Sequence, residues 1–285
     1  MELVKILIQT ARQLGFELYG TVEAGVPPTF DAFERYVHNG MNAGMTYLAE
    51  QREARRHPNA ILPGVQSLLM LGISWTAVTK SPHHPVKTLN GIAEYARGTD
   101  YHRFIRTLLQ KLEETHREIV PHARCRGVVD TAPLLEKAWA AEAGLGFIGK
   151  NTLLIHPRWG SKFFLAALLS TEKMPRYSDQ SLIFPSCDAC TRCLDACPTG
   201  ALSAPYLLDA RKCLSYWTIE QKEMLPLEIA EKRENRFFGC DTCQDVCPMN
   251  QHVPKEPAGT VNPFLLSNDE LQKTVAGSPV ERVFR

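Results

Sequence analysis

The stretch Cys187–Pro198, CDACTRCLDACP, decides how this chain is read. It gives C-x2-C-x2-C-x3-C-P without a mismatch, a spacing that places three thiolates round one [4Fe–4S] cubane and sends the fourth to a second cluster. A fourth cysteine pointing away demands a partner motif, and Cys240, Cys243 and Cys247-Pro248 supply C-x2-C-x3-C-P. The upstream ligand missing from that second set is most simply Cys213, which stands alone after Asp209-Ala210-Arg211-Lys212. Exchanging the two fourth ligands assigns Cys187, Cys190, Cys193 and Cys247 to one cluster, and Cys197, Cys213, Cys240 and Cys243 to the other. Eight of the nine cysteines are then used, leaving Cys125. A disulfide framework suits small secreted domains, whereas this chain has 285 residues and opens without a secretion pattern. Zinc prefers two C-x2-C pairs, which leaves the longer run and its matched half unexplained.

Working outward, the length suggests one large or two modest domains. A formal net charge of +1 argues against bulk non-specific nucleic-acid binding and permits only a local basic face. No apolar run is long enough to span a bilayer, and no twin-arginine signal is present. A reducing cytoplasm is the expected compartment.

Helical spacing of Leu3, Ile6, Leu7, Ala11 and Leu14 predicts a helix over residues 2–15, followed by a strand over 16–22. Pro27-Pro28 precedes a helix over 30–38, and residues 40–50 hold a second short helical pattern. The basic segment 51–57, QREARRH, reads as a solvated loop. Residues 68–75 read as a buried central strand and 79–89 as a loop. A long helix runs from about 101 to 119, with Asp100 placed to cap it. Val128-Val129 ends a strand and delivers Asp130 to a further helix containing Leu134, Ala138 and Trp139. There Asp130 reads first as a helix cap favoured by the dipole. The glycines of residues 143–151, AGLGFIGKN, fail as a P-loop because Asn151 replaces Ser/Thr and a strand follows. They fail as a dinucleotide fingerprint because a helix precedes them. Close backbone approach to a flat or anionic ligand is what they offer. Residues 163–169 form another core strand, and 174–185 a linker.

Taken in this order and spacing, YARGTDYH (95–102), VDTAPLLE (129–136), AGLGFIGKN, the paired cysteine motifs and CLSYWTIE (213–220) resemble the epoxyqueuosine reductases. These are cobalamin-dependent iron–sulfur enzymes of tRNA modification, and the likeness covers nearly the whole chain. It implies an α+β fold: residues 1–175 as a cobalamin-binding catalytic α/β domain with a central sheet, and 176–256 as a bacterial ferredoxin-like domain with two [4Fe–4S] clusters. Residues 257–285 are expected to be a C-terminal tail with a short helix near 269–275, the family's helical-repeat module being largely absent.

The implied reaction reduces the epoxide of epoxyqueuosine to queuosine at the tRNA wobble position. Two electrons and two protons enter and water leaves, and two one-electron clusters can feed a cobalt centre. Asp130 matches the family's proton donor, whose carboxyl is expected to be raised by burial beside the corrin. Base-off cobalamin contacts are expected from Arg56, Tyr95, Ala96, Asp130, Lys150, Asn151, Ser161 and Ser215. Asp100, Tyr101, His102 and Lys222 are expected on the substrate side. Position 96, Cys in some relatives, is Ala here, and Met249-Asn250 stands where Trp-Asn is common.

Arg52, Arg55, Arg56, Arg97, Arg103, Arg106, Arg211, Lys212 and Lys222 are candidates to grip tRNA phosphates while a splayed wobble base enters the pocket. The expected partners are that tRNA and an unidentified reductant protein, with no membrane and a monomeric chain. Two rivals differ in class. A reductive dehalogenase shares the cofactors but is typically exported. A non-catalytic iron–sulfur electron carrier would leave about 180 upstream residues without a purpose.

Overall fold

The structure, a computed structural model, describes residues 2–75, 77, 91–97, 100–178, 184–221 and 224–254. Its first helix, α1 (Glu2–Gln13), buries Val4, Leu7, Ile8 and Ala11, the i, i+3, i+4, i+7 stripe of a helix that covers a core. Strands follow at β1 (Leu18–Glu23), β2 (Ser67–Ser74), β3 (Cys125–Val128), β4 (Phe147–Ile148), β5 (Leu154–Ile155) and β6 (Phe163–Ser170). Four of them form one sheet in the order β1-β2-β6-β3, antiparallel at every pairing. Antiparallel sheets commonly leave one face wet; this one does not.

Helices cover both faces. On one side α1 and the long helix α5 (Tyr101–Ile119) pack Leu7, Ile105, Leu108 and Leu112 against Leu69, Leu71 and Ile73. On the other, Trp139 of α6 (Glu136–Glu142) packs with Leu68, Met70 and Ala167. Two-sided burial explains why β2 and β6 read as continuous apolar runs. Strand period 2 sends alternate residues to different cores rather than to core and water.

Between β1 and β2 lie α2 (Phe30–His38), α3 (Thr46–Glu50) and α4 (Arg52–Arg56). The last corrects the loop expected over 51–57. It forms because Arg55 turns inward, 8% exposed, with its guanidinium over the Tyr47 ring. The expected helix after Asp130 begins only at Glu136, with Leu135 as its cap residue. Asp130 therefore caps nothing, whereas Asp100 does cap α5, accepting from the His102 backbone N–H at 3.1 Å.

The cysteine-bearing segment carries α7 (Arg192–Asp195), the hairpin β7 (Leu202–Ala204) and β8 (Leu207–Leu208), α8 (Leu227–Arg233) and α9 (Thr242–Asp245). Hydrogen bonds seat it on the preceding chain: Glu94 N–H to Asp241 Oδ2 (2.7 Å), Ala210 N–H to Met41 O (2.9 Å) and Tyr206 N–H to Lys150 O (3.0 Å). Gly160, at φ +56, marks the closest approach, since any Cβ there would run into Asn250 Oδ1. Among the described residues no helix is long and apolar enough to cross a membrane. The loop expected over 79–89 and the helix near 269–275 lie outside the described residues.

Candidate functional site

A cavity of about 220 Å³ is lined by Cys197, Cys213, Cys240 and Cys243, with Lys137, Asn151 and Ser215 beside them. The last cysteine of the first run thus stands among three from later in the chain. Cys193 and Cys247 each sense the charge of Cys187, and Cys247 also that of Cys190. Burial, and then repulsion from Cys240, Cys213, Cys197 and Cys193, push the Cys243 thiol far above its ordinary value. Sulfurs crowded in this way ionise together only round a cationic core. At Cys197 burial is outweighed by backbone hydrogen bonds from Leu202, Thr199 and Ala201, and the thiol is lowered. Such bonds to sulfur are one of the levers that tune iron–sulfur clusters. Among the described residues no three His, Cys, Asp or Glu groups converge as on a single ion. Four cysteines lining one cavity match in number the ligand set of a [4Fe–4S] core.

Beyond this cavity lies a cleft walled by Trp75, Tyr95, Tyr101, Phe163, Phe164 and Leu165, with Asp130 and Glu136 at its edge. Tyr101 stacks on Phe164 at 4.2 Å between ring centroids and on His102 at 3.9 Å. Stacking fixes the imidazole so that both its nitrogens meet carboxylates: Nδ1 lies 3.0 Å from Asp100 Oδ1 and Nε2 lies 2.9 Å from Asp130 Oδ2. A ring flanked by two acceptors is satisfied only as the imidazolium, donating to each. Burial disfavours that cation, but the bonds to Asp130 and Asp100 outweigh it, and His102 is raised above its ordinary value.

The same contact acts on Asp130 in the opposite sense. The His102 hydrogen bond outweighs desolvation, and the carboxyl is lowered. That corrects the expectation of a raised carboxyl: in this cleft the shared proton rests on the histidine side. Asp130 keeps 55% of its side-chain surface accessible and adopts φ +54, a left-handed conformation that Asp tolerates better than most residues. Its backbone N–H donates to Glu136 Oε1 at 2.7 Å. Glu136 is half-exposed, yet protein surrounds its carboxyl closely, and burial followed by the Asp130 charge pushes it up to about 8. Strain and perturbed carboxyls together mark this loop as a functional site.

The remaining expected ligands divide between the two places. Tyr95 and Asp130 line the cleft, and Asn151 and Ser215 line the thiol cavity. Ala96 is buried without accessible surface. Arg56 is exposed on α4 near Glu53. Lys150 reaches the carbonyls of Asp188 and Cys190, and Ser161 bonds Gln244 Oε1 at 2.9 Å, so both hold the cysteine segment in place. Asn250 joins them, accepting from Ser161 N–H at 2.7 Å. Lys222 lies outside the described residues. Three groups escaped the sequence reading. They are Glu136, Glu220 (raised by burial and by Asp130), and the inward role of Arg55, expected only as a phosphate contact, whose buried Nε has no partner and whose charge bears on Asp130. Only the inward half of the short helix α4 could have signalled Arg55.

Comparison with known proteins places this geometry. Residues 55–131 match the family model described as epoxyqueuosine reductase QueG, DUF1730, and residues 186–250 match that of a 4Fe-4S double cluster binding domain. The epoxyqueuosine reductase of Pseudomonas aeruginosa is 37% identical over 287 residues, covering 95% of this chain and 78% of that protein. That of Cyclobacterium marinum is 37% identical over 254 residues, 87% of this chain and 79% of that one. A crystal structure of epoxyqueuosine reductase with a tRNA-Tyr epoxyqueuosine-modified stem loop superposes with a TM-score of 0.77 at 29% identity, over 98% of this chain and 76% of its own. The Bacillus subtilis enzyme, with its aspartate-bearing catalytic loop swung out of the active site, gives 0.78 at 29% identity, over 98% and 76%.

Proposed function

This chain belongs to the epoxyqueuosine reductase family, and from that premise we propose that it reduces epoxyqueuosine to queuosine at the wobble position of tRNA. The observation that carries the reading is a charged His102–Asp130 pair in an aromatic cleft beside a segment bearing eight gathered thiols. In this reading residues 1–175 form the catalytic unit and 176–256 the electron-transfer unit. Cys187, Cys190, Cys193 and Cys247 hold one [4Fe–4S] cluster, and Cys197, Cys213, Cys240 and Cys243 the other.

The apolar walls of the cleft, Trp75, Tyr95, Tyr101 and Phe164, suit the flat face of a corrin, with Asp130 at its rim. Cobalamin bound there supplies a cobalt centre that accepts electrons singly and delivers two to the substrate. The chain's own residues supply the protons. As an epoxide C–O bond breaks, the oxygen becomes far more basic than either member of the pair. The proton held between His102 Nε2 and Asp130 Oδ2 is then drawn to it. Departure as water consumes a second proton, and Glu136, protonated below about pH 8, is the other acid on that wall. The aromatic stack keeps bulk water from the reacting carbons. A cytoplasmic, monomeric enzyme fed by a separate reductant protein completes the reading.

Two expected results follow from the site. First, the reconstituted, anaerobic protein with cobalamin and a chemical reductant converts epoxyqueuosine-containing tRNA to a nucleoside one oxygen lighter by mass spectrometry. Absence of conversion with clusters intact and cobalamin bound sinks the reaction, and absence of cobalamin binding sinks the cofactor. Second, turnover falls as pH rises through about 8, because Glu136 then loses its proton beside Asp130. Glu136→Gln lowers turnover by up to about 10²-fold and removes that limb of the pH–rate profile. An unchanged profile would exclude Glu136 as the second acid.

A further inference from the structure

Adjoining the Asp130 loop lies a second cavity, of about 450 Å³, within the roughly 300–1,000 Å³ common for ligand sites. Val129 and Thr131, the neighbours of Asp130, form part of its wall, and Arg106 and Arg126 bring the only charged side chains among its lining residues. Arg126 is anchored at the cavity wall, donating from Nη1 to Ile61 O at 3.1 Å, and its guanidinium carries further N–H donors beyond that bond. Arg106 is exposed and has no ion-pair partner among the described residues. It stands four residues after His102 on α5, hence one turn along the same helix face. The helix that orients the acid pair thus also carries a guanidinium to the adjoining cavity.

Two guanidiniums lining one cavity, with no acid among the lining residues, are matched to an oxyanion with several acceptor oxygens. We propose that the Arg106–Arg126 cavity seats a backbone phosphate of the substrate RNA, belonging to the nucleotide next to the one being reduced. The inference rests on the tRNA reading above and adds to it a location. Asp130 faces one recess while its two chain neighbours face the other. A nucleotide drawn into the first therefore carries its flanking phosphate towards the second. Phosphate contacts set register without reading sequence, and register is what brings one base of a loop to Asp130. The net charge of +1 leaves little general attraction for RNA, so local pairs of this kind must supply it.

The test is equilibrium binding of an epoxyqueuosine-containing anticodon stem-loop to the cluster-loaded chain, by fluorescence anisotropy over a series of salt concentrations. Arg106→Gln removes an exposed side chain with no ion-pair partner, so folding is not at stake. With Arg126→Gln added, affinity is expected to fall about tenfold or more, and the slope of log K against log salt to shrink by about 0.7 for each phosphate no longer neutralised. Arg106→Lys with Arg126→Lys restores the slope but only part of the affinity, since ammonium groups keep the charge and lose the fork. Arg117→Gln, far along α5 and paired with Glu113, leaves both quantities unchanged. If the double Gln variant matches the unsubstituted chain in affinity and slope while that chain binds and converts the RNA, the cavity is excluded and the function stands. If the unsubstituted chain binds no stem-loop, both fall together.

Discussion

Asp130→Asn lowers epoxide reduction by roughly 10²–10⁴-fold, the usual worth of a positioned acid, while both clusters and cobalamin stay bound. The amide is isosteric and still reaches His102, so the loop keeps its place, but it carries no negative charge to hold the imidazolium. His102 then keeps only Asp100 as a charged partner, and its raised proton affinity drops back. The sign of the pH effect follows from both partners. Asp130 is lowered, so its part of the pairing is complete above the ordinary carboxyl value near 3.9 and is lost as pH falls through the lowered one. His102 is raised, so its part is complete below about 6.5 and is lost as pH rises through the raised value. The pair is therefore fully charged between about pH 4 and 6.5 and persists somewhat beyond each end. In Asp130→Asn the histidine limb of the residual pH–rate profile moves to lower pH. Single-turnover kinetics across pH read both effects. Turnover within a few-fold of the unsubstituted chain would remove Asp130 from the chemistry, and an unmoved limb would uncouple it from His102.

How far the sequence reaches is plain from which interactions are local. The cysteine runs are read from spacing because their ligands recur within a few residues, α1 and α5 from period because burial repeats along one face, and β2 and β6 from unbroken apolar runs because both faces are buried. The family's site residues come from a likeness in order and spacing, not from any periodicity. What stayed hidden depends on distant partners. Segment 51–57 looks solvated because its charges are dense, yet Arg55 turns in because Tyr47 and the Asp130 loop await it. Asp130 looks like a cap because a helix follows nearby, yet five residues and a left-handed backbone separate it from that helix. Lys150, Asn151 and Ser161 are expected as cobalamin contacts because the family likeness implies them. Their side chains also bond the cysteine segment, some forty to ninety residues away in sequence, which no local pattern signals. Glu136 gives no sequence signal at all. A carboxylate at the start of a helix is ordinary, and only burial with the Asp130 charge beside it lifts its proton affinity.

Cys213→Ala reduces bound iron by about half, and reduction of epoxyqueuosine stops because the two-cluster supply of electrons is broken. The stronger consequence lies in pairs. In the crossed arrangement Cys197 belongs with Cys213, Cys240 and Cys243, although it follows Cys193 by only four residues. Cys197→Ala/Cys213→Ala therefore removes two ligands of one cluster and keeps about half the iron, no less than either single variant. Cys193→Ala/Cys213→Ala takes one ligand from each cluster and loses nearly all of it. Cys193→Ala/Cys197→Ala, although both changes fall in one short run, does the same. An uncrossed arrangement reverses this, because Cys193 and Cys197 would then share a cluster and their double variant would keep half the iron. Iron content with the near-ultraviolet and visible absorbance of the reconstituted proteins separates the two. Circular dichroism confirms that the sheet, whose cores contain none of these cysteines, remains folded in each. The crossing matters because it ties each cluster to two stretches of chain. Losing either cluster loosens α7 from α9, and with them the Asn250–Ser161 and Asp241–Glu94 bonds that seat the segment beside the cleft.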